Sequence, residues 1–67
     1  MREASLSEYL RVTSKPHAVK RQMNSKRCTD TEWKHCGITI AHKTETLSRG
    51  KVVSTTYYIN PAYLENT

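Results

Sequence analysis

Pro16-His17-Ala18-Val19-Lys20-Arg21-Gln22-Met23-Asn24 is the stretch on which the fold turns. At a period of 3.6, Ala18, Val19, Gln22 and Met23 share one face, and His17, Lys20, Arg21 and Asn24 share the other. Pro16 suits the first position of a helix, where its missing N–H is not needed. The stretch therefore reads as a basic amphipathic helix ending near Asn24-Ser25.

Upstream, Ser5-Leu6-Ser7-Glu8 fits a capping box, in which a serine hydroxyl accepts an early backbone N–H and Glu8 reaches back. Leu6, Tyr9, Leu10 and Thr13 then form one helical stripe, which predicts a first helix over Ser5 to about Thr13. Downstream, Thr29-Asp30-Thr31-Glu32 repeats the capping-box pattern and opens a third short helix containing Trp33, with Gly37 as its stop.

From Ile38 to Ile59, Thr, Val, Ile and Tyr dominate and alternate as in strands. With Arg49-Gly50 as the turn, Leu47 should pair with Val52, Thr44 with Thr55 and Ile40 with Ile59. Ile38, Ile40, Val53, Tyr57 and Ile59 would then cover the helices, leaving Lys43, Glu45, Ser54 and Thr56 on a wetter face. Pro61 ends the strand, and Tyr63 or Leu64 can fold back on the core. The expected fold is α+β: two to three short helices within about 5–36, a two-stranded antiparallel β-hairpin over about 38–59, and a tail over 60–67.

The chain has 67 residues and 36% apolar content, enough for one lean domain and too little for a deep enzyme pocket. No apolar run approaches the ~18–20 residues that span a bilayer, and the first residues lack a signal-type apolar stretch. The expected compartment is the cytoplasm. Eleven Lys and Arg against six acids give +5. The excess is local. Residues 11–27 hold Arg11, Lys15, Lys20, Arg21, Lys26 and Arg27 and no acid, whereas the other fifty residues hold five cations and six acids.

Such a block points to polyanions. His17, Lys20 and Arg21 would project from the second helix, flanked by Arg11, Lys15, Lys26 and Arg27, with Ser14, Asn24 and Ser25 bonding phosphate oxygens. Helices followed by a two-stranded wing resemble winged helix-turn-helix DNA-binding domains. The closing Tyr57–Tyr63 stretch resembles the last wing strand of some plasmid replication proteins. The winged-helix resemblance implies that Arg49 and Lys51 at the hairpin tip touch the DNA backbone or the minor groove. The acids Asp30 and Glu32 speak against the third helix as the reading element. The leading expectation is a small regulator binding duplex DNA. The rivals are a phage- or plasmid-type factor docking on an acidic host protein and an RNA-binding accessory protein. Plain solubility is the bland reading of the same charges.

Other constellations are weaker. Cys28, His35, Cys36 and His42 offer zinc-type ligands, but their spacing contains neither C-x2-C nor H-x3–5-H. A Cys28–Cys36 bridge would close a small loop around Trp33. Trp33 reads as a core anchor, and one of Tyr57 and Tyr58 must face away from the core. No phosphate-cradling glycine loop and no nucleophile–base pair is visible, so neither an enzyme nor a cofactor is expected. A homodimer through the hairpin edge is a further expectation.

Overall fold

The computed structural model describes residues 1–64, so the end of the expected tail, 65–67, lies outside the described residues. The chain runs β1 (Arg2–Ala4), α1 (Leu6–Thr13), β2 (Val19–Asn24), β3 (Cys28–His35), β4 (Ile38–Ser48) and β5 (Lys51–Ile59), closing with a 3-10 turn over Pro61–Tyr63. The strands form one antiparallel sheet in the order β1-β5-β4-β3-β2. The expected winged-helix-like arrangement of two to three helices and a two-stranded hairpin is overturned: among the described residues there is one α-helix, set against five strands.

The first helix forms as its cap dictates. The Ser5 hydroxyl accepts the Glu8 N–H at 3.2 Å, and the Glu8 carboxylate accepts the Ser5 N–H at 3.1 Å. Its buried residues are Tyr9 and Val12, whereas Leu6 and Leu10 of the expected stripe are exposed.

The second and third expected helices are strands β2 and β3. A nine-residue helix over 16–24 is marginal without a buried stripe to hold it. None forms here, since Val19 and Met23 stay exposed. As a strand the same residues gain a ladder against β3, from Val19↔Lys34 to Asn24↔Thr29. In β3, Thr29, Thr31 and Trp33 alternate with Asp30, Glu32 and Lys34. This is a period of two that the Thr29–Glu32 capping-box match obscured. Gly37 ends no helix. Cys36 and Gly37 have φ of 53° and 79° and form a two-residue turn between His35 and Ile38.

Arg49 and Gly50, with φ of 54° and 79°, make the expected turn of the β4–β5 hairpin, and Leu47 pairs with Val52 as expected. Beyond that the register departs from expectation. Thr46 pairs with Ser54, leaving Val53 as an extra residue, so Thr44 meets Thr56 rather than Thr55. A second bulge sits on β4: Trp33 pairs with Ala41 and Lys34 with Thr39, leaving Ile40 as the extra residue. In the β4–β5 ladder the extra Val53 makes Ile59 pair with Ala41 rather than Ile40.

The bulge lets Ile40 and Ala41 both reach the core, which comprises Tyr9, Val12, Ile40, Ala41 and Ile59. Ala4, Ala18, Trp33, Tyr57, Tyr63 and Leu64 pack around it. The Trp33 indole N–H donates to the Tyr9 hydroxyl at 2.6 Å, and the Tyr9 and Tyr57 rings lie 4.9 Å apart. Burial holds the Tyr9 phenol above its ordinary value, partly offset by the Trp33 hydrogen bond. Lys43 pairs with Tyr57, so Lys43 and Glu45 share the helix side of the sheet, the reverse of the face expected for them.

Candidate nucleic-acid interface

The basic block is dispersed from the end of α1 through the connection to β2 and on into the β2–β3 turn. Arg11 lies in the last turn of α1, and Lys15 and His17 lie in the connection to β2. Lys15 Nζ sits 5.9 Å from the centre of the Tyr63 ring. Lys20 and Arg21 are consecutive residues of a strand, so they point to opposite sides of the sheet. Lys20 Nζ stands 6.0 Å over the Trp33 ring on the helix side. Arg21 lies opposite Glu32 on the bare side. The expected joint projection of His17, Lys20 and Arg21 from a helix face therefore does not exist.

The expected serine donors are also committed. Ser14 Oγ–H donates to the Arg11 carbonyl at 2.9 Å. Ser25 Oγ–H donates to the Cys28 carbonyl at 2.9 Å and accepts the Cys28 N–H at 3.1 Å. The second set of bonds instead shapes the β2–β3 turn, in which Lys26 and Arg27 are exposed beyond Asn24, the last residue of β2.

What the tertiary structure does bring together is Lys26 and Arg27 with Arg49 and Lys51. The strands meander, so the β2–β3 and β4–β5 turns lie at the same end of the sheet. The Leu47 N–H, near the end of β4, donates to the Arg27 carbonyl at 2.7 Å and ties the β2–β3 turn to the base of the β4–β5 hairpin. All four cations are exposed. None of them has a carboxylate within ion-pair distance among the described residues, where the pairs are Arg2–Glu8, His42–Asp30 and Lys43–Glu45. Glu45, the acid nearest this end of β4, is thus matched by Lys43 at 3.6 Å.

The bare side of the sheet holds a feature that sequence reasoning missed: a shallow recess of about 360 Å³ lined by Arg21, Met23, Asp30, Glu32 and His42. Asp30 Oδ1 accepts the Thr44 hydroxyl at 3.1 Å and lies 3.5 Å from His42 Nε2. Glu32 Oε2 accepts the Thr39 hydroxyl at 3.1 Å. The alternation of Asp30 and Glu32 was the available signal. These carboxylates offset Arg21 and make the middle of the sheet a poor surface for polyanions.

The four zinc-type candidates stay apart. Cys28 opens β3 and Cys36 follows its end, eight residues or roughly 26 Å along an extended strand. Both are free thiols, which also excludes the bridge around Trp33. Among the described residues no group of three or more His, Cys, Asp or Glu could hold a metal ion, and no helix is long and apolar enough to cross a membrane. Compared with known proteins, the chain matches no family model, no curated protein and no solved structure.

Proposed function

We propose that the protein binds nucleic acid through the phosphate backbone, using the end of the sheet formed by the β2–β3 and β4–β5 turns. The observation that carries this reading is the convergence of Lys26, Arg27, Arg49 and Lys51, four exposed cations from two distant segments without ion-pair partners among the described residues. Turn cations of this kind grip phosphate oxygens and carry no base readout of their own. Duplex DNA is the favoured partner, because cations from two turns at one end of the sheet can reach neighbouring phosphates of one backbone.

Four phosphate contacts imply a log–log salt slope of about −3.6 for duplex DNA. Lys26→Glu with Arg27→Glu should abolish most of the affinity and flatten the slope by about 1.8 units, with circular dichroism unchanged. Unchanged affinity and slope in that variant would sink the proposal. Titrations against duplex DNA, single-stranded RNA and heparin separate the partners: equal affinity for all three reduces the site to a charge patch.

One observation favours a second reading. The outer edge of β2 is unpaired among the described residues and carries Lys20 and Arg21, which suits an acidic extended segment of a partner protein added as a sixth strand. A stoichiometric protein partner that resists nuclease and is lost with Lys20→Glu and Arg21→Glu would replace the nucleic-acid reading.

A further inference from the structure

The sheet has two unequal borders. On one, β2 is blunted by Lys20 and Arg21, the usual protection of an exposed edge. On the other, β1 covers only Tyr57, Tyr58 and Ile59 of β5, through Ala4, Glu3 and Arg2. The remaining outer edge of β5, Lys51 to Thr56, has no strand beside it among the described residues. This segment reads Lys-Val-Val-Ser-Thr-Thr, β-branched at four of its six positions and uncharged after Lys51. Val52 and Val53 are 51% and 62% exposed. It lacks the charged side chains that β2 carries.

We propose that this half-edge pairs with the same half-edge of a second copy of the chain, as an antiparallel two-fold ladder that continues the sheet through both molecules. Three features select a second copy over other occupants. The gap is six residues long and bounded by β1, and the segment that would fill it is the same six residues bounded by its own turn. In the two-fold register, centred on the Val53 bulge, Val52 meets Thr55 and Val53 meets Ser54 of the other copy, so no like charges face each other. The charges at the boundary are also complementary. The incoming strand approaches the Ala4 end of β1, which brings Lys51 of the second copy toward Glu3.

Glu3 and Lys51 project from the same side of the sheet. Glu3 pairs with Tyr58 and Tyr58 with His42, while Lys51 pairs with Ser48, an even number of residues along β4 from His42. The four Glu3–Lys51 charges thus form two opposite-charge contacts, one at each end of the ladder. The pairing leaves β2 and the Lys26–Arg27 turn of each copy at the outer borders, while it engages Lys51, one of the four cations of the proposed nucleic-acid contact.

The test is sedimentation of the full chain, without nucleic acid, across micromolar to millimolar concentrations. A reversible monomer–dimer equilibrium is expected. Val52→Lys with Thr55→Lys places lysines opposite each other at two positions and should raise the dimer dissociation constant at least roughly tenfold. Val52→Lys with Thr55→Glu restores opposite charges in the same places and should recover the dimer. Circular dichroism establishes that each variant is folded. Glu3→Lys with Lys51→Glu, a charge swap at the boundary, should bind more tightly than either single variant. A strictly monomeric wild type overturns the proposal. So does a dimer that ignores all these substitutions but is lost on substituting β2.

Discussion

The two ends of the sheet are built from the same strands, yet they differ in what covers them. At one end α1 lies over β4 and β5, and Tyr9, Val12, Ile40, Ala41 and Ile59 are buried together. Trp33, Tyr57, Tyr63 and Leu64 thicken that packing. At the other end the β2–β3 turn and the last turn of the β4–β5 hairpin are held by backbone hydrogen bonds, with Val52 and Val53 in solvent. One end is a core and the other is a ribbon. The ribbon can carry unmatched cations because little hydrophobic packing there depends on them. The contrast teaches that the packed core and the exposed cations are spatially separated in this chain, so substitutions should sort cleanly by end.

The sharpest way to break the contrast is a pair of truncations. Ile59→Ala removes a fully buried side chain and should cost about 2–5 kcal/mol, a large share of the stability of so small a domain. Val53→Ala, at the ribbon end, should stay within about 0.5 kcal/mol. Urea denaturation measures both, and comparable losses would mean that the ribbon is packed after all.

A smaller effect compares the two turns. Cys36 and Arg49 hold positive φ before Gly37 and Gly50, a conformation that asparagine accepts with less strain. Cys36→Asn and Arg49→Asn should each stabilise by roughly 0.5–1 kcal/mol. If only Cys36→Asn registers in global unfolding, the ribbon end opens separately from the core.

The smallest effect concerns pH. The Ser5 N–H, and after it the Arg2 guanidinium, hold the Glu8 carboxyl below its ordinary 4.5. Glu8 therefore stabilises the fold above that value, and the contribution disappears as pH falls through the lowered one. Glu8→Gln should flatten the acid limb of a thermal-stability profile and leave the stability at neutral pH little changed.

Parts of this architecture were legible in the residues. The Ser5–Glu8 capping box specified α1, because a cap is a contact between neighbours in sequence. The Arg49-Gly50 turn and the Leu47–Val52 pair were legible for the same reason. The clustering of charge in 11–27 was also plain, although its shape was not. A basic helix face and a basic strand border share one composition, and Lys20 and Arg21 moved from neighbours on a face to opposite sides of a sheet. Lys26 and Arg27 joining Arg49 and Lys51 could not be seen at all, since the Leu47–Arg27 hydrogen bond spans twenty residues.

By itself, then, the sequence determined the local elements: one capped helix, one hairpin turn, a lean apolar content and a localised positive block. Tertiary structure alone decided that 19–24 and 28–35 are strands, that Ile40 reaches the core through a bulge, and that Lys43 and Glu45 lie on the helix side. The physical reason is pairing. A short segment with an ambiguous period takes the state in which a neighbouring strand satisfies its backbone, and one extra residue such as Val53 or Ile40 shifts the register of the residues that follow.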